Sequence, residues 1–241
     1  MKIIRHLSAI TAALCLAAPV SAASLTIDGV DGIWSTSQPV VNGIGSTELR
    51  WGTPARGQPR QSGYDFVASQ TPFEVEDGRS FVLGTFTHLN FPITGVLLEA
   101  ADLAVSFVIA GVEGEIQTTF SFNHFETYNE ATRCADGGAN GVGANVNGCA
   151  DNVLATLNEA KSEVFELDGV IYQLDISGFQ YDGRLFQSFW TQEDRANSAE
   201  LIAVFNVVDT ISEVPLPASG LFLLGGLGAF AMQRKRRKQN N

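Results

Sequence analysis

Apolar and polar residues alternate along much of this chain, in short runs separated by turn-forming residues. Ser24-Leu25-Thr26-Ile27-Asp28 and Phe81-Val82-Leu83-Gly84-Thr85-Phe86-Thr87 alternate, and Leu103 to Ile109 and Ile116 to Phe125 are rich in Val, Ile, Phe and Thr. A period of two gathers one set of side chains on one face of a strand, and β-branched and aromatic groups pack well on that pleated surface. Glu76-Asp77-Gly78, Gly111-Val112-Glu113-Gly114, Asp168-Gly169 and Asp182-Gly183 punctuate the runs. Asp-Gly suits tight hairpins because both central residues of a type I′ turn take positive φ. Two hairpins are expected, Val164–Ile176 and Phe179–Trp190, with a closing strand at Leu201–Val208. The predicted fold is all-β, a single antiparallel β-sandwich of jelly-roll-like kind. Between the termini, Asn152–Lys161 is the one helical candidate, and Gly29 to Ser80 is less regular than the rest.

Both ends depart from this pattern. Lys2 and Arg5 precede an apolar run from Leu7 to Ala18, and Val20-Ser21-Ala22 supplies small residues for a signal peptidase. That order is a secretory signal peptide over residues 1–22, cut after Ala22 or, as a close second, Ala23. Cys15 does not make it a lipoprotein, since Leu14 stands where a small residue is needed. At the other end come Val214-Pro215-Leu216-Pro217-Ala218, an apolar segment from Gly220 to Met232, and the basic cluster Arg234-Lys235-Arg236-Arg237-Lys238. The apolar segment is predicted to be a transmembrane helix, and the basic cluster holds its end in the cytoplasm. At 1.5 Å per residue it covers about 20 Å, short of a ~30 Å hydrocarbon core. A temporary hold in the inner membrane is the expectation. The organisation is then 1–22 signal, 23–213 β-sandwich and 214–241 sorting tail.

Removing the ends sharpens the charge. Of 15 basic residues two lie in the signal and five in the tail, leaving 8 against 26 acids, a net −18. Such a surface repels nucleic acid, which is excluded as a partner, and could attract divalent cations.

With the signal gone, Cys134 and Cys149 are the two remaining cysteines, and an even pair in an exported chain reads as a disulfide. The loop between them is mostly Gly, Asn and Ala. Asp136, Asn140, Asn145, Asn147 and Asp151 raise calcium as a cofactor through their oxygens. The EF-hand pattern fails at Gly138 and at Asn147, where a bidentate Glu belongs.

No nucleophile elbow, His-Glu-x-x-His or phosphate loop is present. His88 and His124 lie in strand-like runs, neither with a cysteine or a second histidine at ligand spacing, so no metal or catalytic residues are assigned. A His on the polar face of a strand is ordinarily solvated or hydrogen-bonded. The expectation is that neither meets a nucleophile and an orienting group in a pocket. Trp34, Trp51 and Tyr64 read either as core packing or as an aromatic rim for sugars.

The last 28 residues resemble the VPLPA variant of the PEP-CTERM sorting signal, at all five motif positions Val214, Pro215, Leu216, Pro217 and Ala218. The resemblance implies recognition by an exosortase, a membrane cysteine transpeptidase, and cleavage near the motif. It also implies a Gram-negative source that makes exopolysaccharide and biofilm. Gly84 to Ile93 resembles the signature of the THxN group of PEP-CTERM proteins, with Thr87, His88 and Asn90 at the named positions. In a strand His88 and Asn90 would share one face, Thr87 and Leu89 the other. The function expected is a non-enzymatic structural or interaction role at the cell surface or in the extracellular matrix, linked to exopolysaccharide. A carbohydrate- or calcium-dependent binding module and a secreted hydrolase stand as alternatives.

Overall fold

The computed structural model describes residues 24–55, 57, 59–156 and 164–211. The signal peptide, the Val214–Ala218 motif, the apolar segment and the basic cluster lie outside the described residues, as does the end of the helical candidate. What is described is all-β, and every strand pairing is antiparallel.

The strands are β1 (Ser24–Gln38), β2 (Glu48–Trp51), β3 (Thr53–Pro54), β4 (Ser62–Ala68), β5 (Phe73–Glu76), β6 (Ser80–Asn90), β7 (Ile93–Thr94) and β8 (Ala100–Ile109). Then follow β9 (Ile116–Phe125), β10 (Asp151–Thr156), β11 (Val164–Leu167), β12 (Val170–Tyr181), β13 (Arg184–Phe186), β14 (Ser188–Thr191) and β15 (Arg195–Thr210). One sheet has the order β14-β10-β9-β8-β1-β5 and the other β11-β12-β15-β6-β4-β2, with β13 on the flank of β12. They face each other as a sandwich, and β3 pairs with β7 separately.

The core is aromatic. Phe86 of one sheet stacks on Phe122 of the other at 5.5 Å between ring centroids, and Trp34 meets both edge-on. Trp34, Trp51 and Tyr64 are buried, so these three rings are packing and form no exposed rim. Burying such faces is the main favourable term in holding two sheets together.

Three expectations needed correction. Residues 151–156 of the helical region form a strand, because β9 and β14 bond it on both edges and Asp151, Val153 and Ala155 all turn inward. The Phe179–Trp190 hairpin ends early: β13 stays on β12, but β14 crosses to the opposite sheet and pairs with β10. Gly178 marks the irregularity that frees it, with φ of 125° and its Cα side pressed against the Phe186 carbonyl. The irregular N-terminal third contains the long β1. A register shift between Ile27 and Gly29 moves its inward residues from Leu25 and Ile27 to Gly32 and Trp34, breaking the alternation. The turns at Asp168-Gly169 and Asp182-Gly183 are as expected, all four residues having positive φ.

Candidate functional site

A cluster of polar side chains lies between the sheets at one end of the sandwich. Tyr64 stands on β4, and His88 and Asn90 close β6 beside it, Tyr64 being the register partner of His88. The opposite sheet supplies His124 from the end of β9, Asp151 from the start of β10 and Thr191 from the end of β14. Asp151 and Thr191 are register partners, and His124 is paired with Val153 two residues away. Glu126 follows β9, and Glu193 sits in the turn between β14 and β15. The period of two turns His88 and Asn90 inward, whereas Thr87 faces outward and bonds Ser198 Oγ at 2.8 Å. His88 therefore lies on the buried face of its strand, not the polar one.

Thr191 Oγ1 lies 2.8 Å from His88 Nδ1 and 3.3 Å from the Asp151 carbonyl. When the hydroxyl gives its proton to that carbonyl, it accepts from His88 Nδ1–H, and His88 Nε2 then presents a lone pair. In either tautomer Nε2 meets no partner. Asn90 Nδ2 donates to the Thr191 carbonyl at 3.1 Å, leaving Asn90 Oδ1 unpartnered. Asp151 Oδ1 accepts the Thr127 amide at 2.7 Å, and Asp151 Oδ2 is unpartnered. His124 lies between the Glu126 carboxylate, 3.3 Å from Nε2, and the Tyr64 hydroxyl, 2.6 Å from Nδ1. Trp51 walls the group, stacked on His88 at 5.8 Å and edge-on to His124, and its Nε1 also lacks a partner.

Charge is concentrated here. One ligating atom from each of His88, His124 and Asp151 lies within 4.8 Å of the others, and the same holds for Glu126, Asp151 and Glu193. Burial, with help from His124, lowers the His88 pKa well below the usual imidazole value. Burial and then the charges of Glu126 and Glu193 push Asp151 well up, against its hydrogen bonds to Thr127. Glu193 is raised to about 7, by burial first and Glu126 second, while hydrogen bonds to Asn129 and Asn90 oppose the shift. Tyr64 is raised well above the ordinary phenol value by burial, Asp151 and Glu126, so its hydroxyl keeps its proton. Among the described residues no Lys or Arg ion-pairs with these three carboxylates.

The disulfide loop covers this end. Cys134 and Cys149 are joined, with Cα atoms 5.2 Å apart. The Cys149 carbonyl accepts from Thr127 Oγ1 at 2.7 Å, and Asn147 Nδ2 donates to the Glu193 carbonyl at 3.1 Å. With its amide nitrogen turned toward them, Asn129 donates to Glu193 Oε1 at 3.2 Å and to the Cys149 carbonyl at 3.1 Å. The oxygens proposed for calcium do not converge. Asp136 holds Asn145 Nδ2 through both carboxylate oxygens at 2.9 Å, and Asn140 donates to the carbonyls of Asn129 and Ala131. Asp151 points into the core instead.

Sequence reasoning reached His88 and Asn90 through the motif but left His124, Asp151, Glu126, Glu193 and Tyr64 unassigned as a group. Strand positions that face inward and carry a polar residue were the available signal. His124 does meet a hydroxyl and a carboxylate, in the Glu126–His124–Tyr64 row; the Tyr64 and His124 side chains are buried, while Glu126 is partly exposed and lines a surface pocket with Thr127, Tyr128 and Cys149. No protein-family model matches the chain, and no curated protein matches it.

Proposed function

We propose that this chain is an exported protein of the cell surface or extracellular matrix, whose β-sandwich has a structural or interaction role and no turnover. The observation that carries the non-catalytic part is the sealing of its polar centre. Tyr64, His88, Asn90, Asp151 and Thr191 are all 0% exposed, and Glu193 is 1% exposed. A general base must come within hydrogen-bond reach of the proton it removes, and these six residues offer a substrate no access; Glu126, at the rim of the centre, keeps 14% of its side chain exposed. Buried polar groups of this kind serve instead to fix one arrangement of the core.

Export is supported by the disulfide and by the signal peptide read from the sequence, since such bonds persist in oxidising compartments. In this reading the domain is a jelly-roll-like sandwich between a cleaved signal peptide and a temporary inner-membrane anchor. An exosortase then cuts near Val214–Ala218, and the released protein joins an exopolysaccharide-rich matrix. Pro215 and Pro217 keep that stretch extended, a form a peptidase can grip. Intact-mass measurement of protein from the surface fraction of its native host tests the reading. The expected mass lacks residues 1–22 and the Arg234–Lys238 cluster. A membrane-bound form that retains the cluster would make this a tail-anchored protein and refute sorting.

A further inference from the structure

We propose that the buried cluster is a structural site for one divalent transition-metal ion, held by His88, His124 and Asp151 with Glu126 or Glu193 completing the shell. The case rests on donors and acceptors. His88 Nε2, Asp151 Oδ2 and Asn90 Oδ1 are fully buried and without a hydrogen-bond partner. Burying an unsatisfied polar group costs about 1–3 kcal/mol, and natural cores hold few of them. Here three occur together, beside two more carboxylates. Among the described residues the spare donors here are Trp51 Nε1–H and, while Asp151 keeps its proton, its O–H, and neither Trp51 Nε1 nor Asp151 Oδ2 meets a partner. Two imidazoles and three carboxylates gathered in one place, with no Lys or Arg paired to them among the described residues, suit a cation that would displace their protons.

The surroundings already do what the second shell of a metal site does. A ligating imidazole is held by a hydrogen bond from its other nitrogen, which fixes its orientation and raises its basicity. With its proton on Nδ1, His88 is held by Thr191 Oγ1 at 2.8 Å and has Nε2 free to bind. His124 binds through Nε2 by moving its ring proton to Nδ1, where Tyr64 Oη accepts it 2.6 Å away. Asp151 is fixed through Oδ1 by the Thr127 amide and keeps Oδ2 for the ion. Two ligands on a tetrahedral zinc, each about 2.0–2.1 Å from it, are about 3.3 Å apart. His124 Nε2 and Glu126 Oε2 already have that separation, at 3.3 Å.

The donor types choose the ion. Two imidazoles with carboxylates suit zinc and its first-row neighbours, whereas calcium and magnesium prefer shells of oxygen alone. A closed, four-ligand shell is the mark of a structural site, and His88, Asp151 and Glu193 are sealed from solvent, with Glu126 at the partly exposed rim. This inference stands whether or not the chain is sorted as proposed above.

The test uses the full chain, purified in detergent, stripped with chelator and titrated with Zn²⁺. One equivalent of zinc should bind, and X-ray absorption should show two imidazoles in its shell. His88→Gln and Asp151→Asn should each weaken binding at least about 100-fold, more than loss of an outer-shell partner does. Glu74→Gln with Glu76→Gln, exposed on β5, should leave affinity unchanged and so exclude adsorption to the acidic surface. Should either site variant fail to fold, the wild-type spectrum decides alone. Absence of stoichiometric zinc, an oxygen-only shell, or binding of Ca²⁺ in preference to Zn²⁺ would overturn the proposal.

Discussion

Removing the Cys134–Cys149 bond should cost about 3 kcal/mol. The bond closes a loop with a sequence separation of 15, and the chain-entropy relation assigns a loop of that size about 3 kcal/mol at 25 °C. Replacing both cysteines by Ala is the suitable perturbation, since both are buried and a serine hydroxyl there would add a desolvation cost. With an m-value of about 2 kcal/mol/M in urea, the midpoint should fall by about 1.5 M. A melting temperature should fall by roughly 6–12 °C for a domain of this size. Chemical denaturation of the variant against the parent, both chelator-treated, reads the difference directly. A loss under about 1 kcal/mol would refute the entropic reasoning. The Asn140, Asn145 and Asp136 hydrogen bonds would then be ordering the loop unaided. A loss above about 5 kcal/mol lies outside the disulfide range and would refute it from the other side. The cost would then reside in Asp151 and Glu193, whose shell this loop supplies.

Two further outcomes are expected. Gly84→Ala places a Cβ 2.6 Å from the Phe66 ring and from the Val67 carbonyl, so it should destabilise by about 1–3 kcal/mol in a thermal scan; an unchanged melting temperature would contradict this packing. In chelator-treated protein, Glu193 titrates near 7 when folded against about 4.5 unfolded, so the folded state binds the extra proton between those values. Stability from this group is then full below about pH 4.5 and lost as pH rises through 7, a decline of about 3 kcal/mol. Glu193→Gln should flatten that part of the profile in urea titrations at stepped pH, and a slope that persists unchanged would assign it to another group.

Local chemistry determined much of this protein. The alternation along β6, β8 and β9 is a property of neighbours in sequence, as is the positive φ that Asp168-Gly169 and Asp182-Gly183 supply to their turns. The disulfide was legible because few cysteines remained to choose from. Other elements were decided only by what packs beside them. Residues 151–156 could be read as a helix until β9 and β14 offered hydrogen bonds on both edges. The inward face of β1 changes parity at a bulge, which no single period describes. The polar centre lay furthest from sequence reasoning, for its members come from residues 64, 88, 124, 126, 151 and 193, on or beside several strands of two sheets. Each looks ordinary in its own strand. Only when the sheets close do two imidazoles and three carboxylates come together, because contact across a sandwich depends on register and crossover, which are properties of the whole chain.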